Sequence, residues 1–242
     1  MNGESHPSRP AAWLWLLAGL CYLSAETISA AAFPGYSYAS NYVSDLGVPY
    51  ADVIDGRMLR SGLAWVMNWC GFILDGALFA AASVVAVWLM PRTKVGATSS
   101  VKPWAAIFLA LALIHSAGTV LVGLVHSGSR ELVSGIGQYH VLGAALAILG
   151  GNFALIAAAM LARRLGLALA WQRASAALGL FGLGSLALLE FNRIGGAAVL
   201  PDGVLERASI YPITAWEIVT GLTLLVAGSK FETAAPAETG AT

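Results

Sequence analysis

Five ionisable side chains, Glu26, Asp75, His115, Glu190 and Glu217, interrupt stretches of the sequence that are otherwise apolar. Carboxyls and imidazoles trade protons near neutral pH, hold divalent metals, or grip a ligand through charge-assisted hydrogen bonds. Inside hydrocarbon each costs roughly 2.5–3.5 kcal/mol or more, so each needs a partner, a water-filled cavity or a short route to the interface. Asn68, Gly71 and Asp75 fall at i, i+3 and i+7, a narrow polar stripe expected to face the interior of a helix bundle. His115 and His126 are eleven residues apart, which returns to nearly the same helical face about 16 Å along the axis.

The candidate catalytic groups are Asp45, Asp75, His140, Glu190 and Glu217. The candidate ligand-binding residues are Asn41, Ser44, Asp45, Asn68, Asp75, His115, Arg193, Arg207 and Glu217. His126 and His140, with Asp45 and Glu131 nearby in the loops, are the candidate metal ligands, although no HExxH or compact His spacing accompanies them. No cofactor is predicted. Glu190 and Arg193 at i, i+3 also suit a plain helical ion pair, and Glu206 with Arg207 suits a cap on the last helix.

The elements that must position these groups follow from composition. Of the 242 residues, 58% are hydrophobic and 11% charged, against about 25% charged in an ordinary soluble domain. Mean hydropathy is +0.74, so water is not the main solvent. Lys+Arg and Asp+Glu balance at 13 each and no basic arm is present, which sets nucleic acid aside as a partner. Membrane lipids and a hydrophobic small molecule are the expected partners. Cys21 and Cys70 both lie in apolar stretches without a CxxC pair, and read as two small hydrophobic residues.

A bilayer core takes roughly 20 apolar helical residues to cross, and six stretches approach that length, at about 12–33, 62–90, 104–126, 140–162, 174–192 and 211–229. The fold class is therefore all-α, a polytopic bundle of about six transmembrane helices over 12–229, with short polar tails at 1–11 and 230–242. Arg92, Lys94 and Lys102 in one connection, and Arg163, Arg164 and Arg173 in another, stand without acids, while the other three connections mix Arg with Asp and Glu. By the positive-inside rule both termini are expected in the cytoplasm of a bacterial cell. Trp13, Trp15, Trp88, Trp104 and Trp171 would then mark the inner interface, and Trp65, Trp69 and Trp216 the outer one. A cleavable secretory signal is the rival reading of the first stretch, opposed by its length and by Glu26 in the would-be cleavage region. Small residues at Gly143/Ala147/Gly151 and at Gly179, Gly182 and Gly184 would let the fourth and fifth helices approach closely.

The longest loop, between the first two helices, is dense in Tyr, Asn, Ser and Asp, and the fifth-to-sixth connection carries turn chemistry in Pro201-Asp202-Gly203. With His126, Arg130, Glu131 and His140 flanking the third loop, these segments suggest an outward-facing polar vestibule that reaches towards mid-membrane.

The chain resembles a family catalogued as domain of unknown function 998, six-helix membrane proteins of bacteria and archaea. The resemblance rests on Tyr36-Ser37, Asn41 and Val43-Ser44-Asp45-Leu46-Gly47 just after the first helix. His140 opening the fourth helix supports it, as does Glu206-Arg207 leading through Ile210-Tyr211-Pro212 to Trp216. Val125-His126 departs from it, since relatives are expected to carry a Phe-Pro-like pair there. The resemblance implies a fold and a membrane location and carries no activity. Physically, Ser44-Asp45 before Gly47 suits a side-chain-capped turn over the bundle mouth as well as it suits chemistry.

Three functions fit. One is binding of, or chemistry on, a lipid or isoprenoid-like ligand at the outer leaflet. Another is proton-coupled transport through Asp75, His115 and Glu26, and the third is a non-catalytic accessory role.

Overall fold

The computed structural model describes residues 9–54, 56–90, 99–195 and 198–233. Six helices are long and apolar enough to cross a membrane: α1 (Arg9–Ala31), α2 (Ala64–Leu89), α3 (Lys102–Leu124), α5 (Gly137–Leu165), α6 (Leu169–Arg193) and α7 (Asp202–Thr233). A short α4 (Ser129–Ser134) lies in the connection between α3 and α5. Their outer faces carry large apolar side chains in the open, such as Leu180 and Phe181 at 62% and 60% exposure, as hydrocarbon surroundings demand. The chain is thus a multi-pass membrane protein.

Each spanning helix packs on its neighbour in sequence, and α7 closes the ring on α1. Short connections between packed neighbours make the helices alternate in direction. One end of the bundle, the loop end, gathers the described residues of 32–63, 125–136 and 194–201. The opposite end carries Arg9, Lys102, Arg163, Arg164 and Arg173. Arg92 and Lys94 lie outside the described residues, as do most of both tails.

Glycines set the closest approach. A Cβ on Gly118 of α3 would stand 2.6 Å from the Gly143 carbonyl of α5, and one on Gly143 would stand 3.0 Å from the Gly118 carbonyl. The stripe on the fourth spanning helix therefore meets the third, not the fifth. Gly179 and Gly182 of α6 do receive α5, against Asn152, while Gly184 meets nothing within 4 Å.

The described residues of the loop between α1 and α2 form regular structure. They contain a 3-10 turn, Val43–Gly47, and a two-stranded antiparallel hairpin, β1 (Asp52–Ile54) with β2 (Arg57–Leu59), in which Val53 faces Met58. Asp55 lies outside the described residues. Inside α2 the residues Met67–Ile73 form a π turn, whose extra residue changes the phase of everything after it. The expected Asn68/Gly71/Asp75 stripe is consequently split among three neighbours. Asn68 Nδ2 donates to the Gly47 carbonyl at 2.8 Å, Gly71 abuts Ala25 of α1, and Asp75 points to the bundle centre.

The last helix differs most from expectation. It begins at Asp202, and Pro212 lies inside it. Trp216 therefore sits deep in the bundle. It is buried against Trp15 at a ring separation of 5.3 Å and against Trp171 at 5.8 Å, and its Nε1 donates to Ser175 Oγ at 2.9 Å. Neither Trp15 nor Trp216 marks an interface. Glu217 moves with Trp216, to roughly 22 Å from the helix start.

Candidate functional site

Two apolar cores divide the interior lengthwise. Near the basic end, Trp15, Phe79, Phe108 and Trp216 pack with small residues of α1, α3 and α5, while at the loop end Tyr22, Phe33, Leu46, Met67 and Phe72 form a second cluster. Between them lies a cavity lined by residues of α1, α2, α3, α5 and α7 and roofed by Val43 and Ser44 of the 3-10 turn. Its water-accessible volume is about 60 Å³, where a single water needs about 10–15 Å³.

The walls are largely aliphatic (Val122, Ala144, Ala147, Ile148, Ile210, Ile213), and the polar lining comes from five helices: Tyr22, Asp75, His115, Thr119, His140, Thr214, Glu206 and Glu217. Asp75, His115 and Glu217 are each 5% exposed or less. Asp75 Oδ1, Glu217 Oε1, His115 Nε2 and the Tyr22 hydroxyl are buried without a hydrogen-bond partner. Such atoms normally cost about 1–3 kcal/mol each, so four around one cavity make it the candidate site. Both histidines are oriented by backbone. His115 Nδ1 lies 2.7 Å from the Ala147 carbonyl and His140 Nδ1 lies 2.6 Å from the Val125 carbonyl. A carbonyl accepts only from an N–H, so Nδ1 carries the proton and Nε2 keeps the lone pair in each neutral ring.

The roof is fastened by a separate polar network. Arg207, on the second turn of α7, pairs with Glu26 of α1 at 2.9 Å and donates to the carbonyls of Tyr38, Asn41 and Gly203 at 2.8–3.0 Å and to the Tyr36 hydroxyl. Tyr211 donates to the second Glu26 oxygen at 2.9 Å. Asp45 accepts from Asn41 Nδ2 at 2.9 Å and from the Tyr42 amide at 3.1 Å, closing the turn, and Glu206 accepts from the Val43 amide. A Cβ at Gly203 would strike the Asn41 carbonyl, and one at Gly47 would strike Asn68. Burial pushes the Tyr36 phenol upward even beside Arg207, keeping it a neutral donor and acceptor.

Further out, the hairpin clips to α4. Asp52 accepts from the Ser129 amide at 2.6 Å, which holds its carboxyl below the usual range. Tyr50, pushed up to about 12 chiefly by burial, donates to Glu131, and Arg130 covers its ring at 4.0 Å.

The candidates from sequence thus separate into groups. Ser44, Asp75, His115, His140 and Glu217 line the cavity. Asn41, Asp45, Asn68 and Arg207 hold the roof. Glu190 and Arg193 pair at 2.9 Å, each about half-exposed, at the end of α6, and no α6 residue is among the described lining. His126 lies 3.4 Å from Glu131, and among the described residues no three His, Cys, Asp or Glu side chains converge in a way that could hold a metal ion. Tyr22, Thr119, Thr214 and Glu206 join the cavity without having been singled out as ligand residues. Only Glu206 carried a signal, its place beside Arg207.

A family model described as protein of unknown function (DUF998) matches residues 16–223, and the chain belongs to that family. No curated protein and no solved structure matches it.

Proposed function

We propose that this member of the DUF998 family binds a lipid or isoprenoid-like ligand at the outer leaflet, with the ligand's polar end in the central cavity. The observation that carries this reading is the set of four buried, unpartnered polar atoms facing an otherwise aliphatic cavity beneath an ordered roof. Apolar walls suit a chain, and a few convergent polar groups suit a head. The cavity holds only a few atoms, so the rest of the ligand lies outside it. In this reading the loop end faces outward in a bacterial cytoplasmic membrane and both termini are cytoplasmic, supported by the sequence of the two connections at the opposite end, where Arg92, Lys94, Lys102, Arg163, Arg164 and Arg173 stand without acids. Reporter fusions active only in the cytoplasm should work at both termini; activity at just one would overturn the orientation.

Acids at mid-helix also favour proton-coupled transport as a second reading. Against it stands the aromatic core directly below, where Phe79 packs on His115 at 4.7 Å and on Trp216 at 6.3 Å, and among the described residues inside the membrane spans no carboxyl or imidazole continues the series towards the basic end.

The test is native mass spectrometry of the full chain released gently from its own membrane. A lipid-sized adduct should persist in the wild type and in Asp52→Ala and should be lost in Asp75→Ala and Glu217→Ala. Equal retention in all three variants sinks the cavity as the site. Proton uptake into vesicles that depends on Asp75 would move transport ahead.

A further inference from the structure

The hydrogen-bonding inventory of the cavity is lopsided. Asp75 Oδ1, Glu217 Oε1 and His115 Nε2 are buried acceptors with nothing to accept. His140 spends its N–H on the Val125 carbonyl and brings a fourth acceptor in Nε2. Glu206 brings a third carboxyl group. On the donor side, the Thr119 hydroxyl is spent on the His115 carbonyl at 2.9 Å, which leaves the unpartnered Tyr22 hydroxyl as a single donor that can equally accept. No Lys or Arg is among the described lining, and the nearby guanidinium of Arg207 is committed to Glu26, Tyr36 and three carbonyls.

A phosphate or carboxylate head would therefore meet three carboxyl groups and no cation, while its own acceptor oxygens would compete with those of the wall. In their ionised form those carboxyls would repel an anion strongly in a low-dielectric interior. A head that brings several N–H donors on a positive charge supplies what each of these atoms lacks. Its bonds to carboxyl oxygens would be the strong, charge-assisted kind. Tyr22 and Phe72 line the cavity and add aromatic surface that suits a cation better than an anion.

Resting on the ligand-binding reading above, we infer that the cavity recognises a primary ammonium group, with Asp75, Glu217 and the Nε2 atoms of His115 and His140 as its acceptors. An ammonium has three N–H donors and is about the size of a water, which fits a space for a few waters. The same chemistry is offered by an amine-bearing lipid head and by a small free amine.

The full chain in dodecyl maltoside micelles is titrated by calorimetry with dodecylamine, dodecyl phosphate, dodecanol and the short ethylamine. The variants are Asp75→Asn/Glu217→Gln, which alters the acceptors, and Ala144→Phe, which fills the cavity; the fold of each is checked by its helical circular dichroism. Dodecylamine should bind at least about tenfold more tightly than dodecyl phosphate or dodecanol. The double variant should lose at least about tenfold, the scale of one charge-assisted hydrogen bond. Dodecyl phosphate binding as tightly as the amine, and lost in Ala144→Phe, would overturn the ammonium inference and leave the ligand cavity standing. Binding of every amphiphile unchanged in Ala144→Phe would overturn the cavity itself as the site. Ethylamine binding as tightly as dodecylamine would support the ammonium group and overturn the lipid as its source.

Discussion

The protein buries carboxyl groups in two neighbouring places and treats them in opposite ways. At the roof, both Glu26 oxygens are engaged, one by Arg207 and the other by Tyr211, and the guanidinium also gathers three carbonyls and a phenol. In the cavity, one oxygen each of Asp75 and Glu217 has no partner. Burial alone therefore does not distinguish a structural acid from a site acid, because Glu26 and Glu217 are both 1% exposed. What distinguishes them is satisfaction. A saturated network fixes geometry, and a deficient one leaves free energy for a ligand to recover.

The largest effect is expected from breaking the saturated side. Glu26→Ala or Arg207→Ala leaves the partner buried without its ion-pair counterpart, and should lower stability by about 3–5 kcal/mol. Chemical unfolding of the detergent-solubilised protein measures it, and a loss under about 1 kcal/mol would mean that the roof is not held by this pair. The deficient side should respond in the reverse sense. Asp75→Leu removes a carboxyl whose Oδ1 has no partner and should leave stability unchanged or raise it by about 1–2 kcal/mol, while abolishing ligand retention. Marked destabilisation by Asp75→Leu would put Asp75 on the structural side of the comparison.

Sequence reveals these two regions unequally. The six helices follow from length and hydropathy, because crossing hydrocarbon allows few alternatives. Asp75, His115 and Glu217 announce themselves as acids and imidazole in apolar runs. Their convergence was hidden by two backbone events. The π turn in α2 breaks the 3.6-residue phase that would have kept Asn68 and Asp75 on one face. Pro212 has the look of a helix start, so Glu217 reads as shallow; the helix in fact begins at Asp202, where Tyr42 donates to its carboxyl at 2.8 Å. From sequence Glu26 reads as part of a proton relay, because its partner Arg207 is 181 residues away and no local spacing links them. The Ser44-Asp45 turn was legible as a turn, and its service as a roof required the fold.

A smaller effect belongs to the outer clip and depends on pH. Asp52 has a folded pKa below its unfolded one, so its contribution is complete above the ordinary Asp value near 4 and is lost as pH falls through its own lower value. Tyr50 works in the opposite sense. Its raised pKa makes its contribution complete below about 10, lost as pH rises through about 12. Hydrogen exchange at the Ser129 amide should accelerate in acid beyond the intrinsic rate, and Asp52→Asn should flatten that dependence. An unchanged profile in Asp52→Asn would show that the clip is held by the Tyr50–Glu131 contact instead.

The smallest effect sharpens the comparison most. Glu190–Arg193 and Glu26–Arg207 join the same chemical groups at the same separation, 2.9 Å in each. Their side chains differ in exposure, 47% and 49% in the first pair against 2% and 7% in the second. Solvent screens the first pair and rehydrates whichever partner survives a deletion, so Glu190→Ala should cost only about 0–1 kcal/mol. The buried pair has no such refuge, and removing Glu26 strands Arg207 among carbonyls that orient it without neutralising it. Unfolding Glu190→Ala and Glu26→Ala side by side isolates burial as the variable. Similar losses would mean that the ion pair itself, rather than its desolvation, sets the cost, and the division between a saturated roof and a deficient cavity would lose its energetic basis.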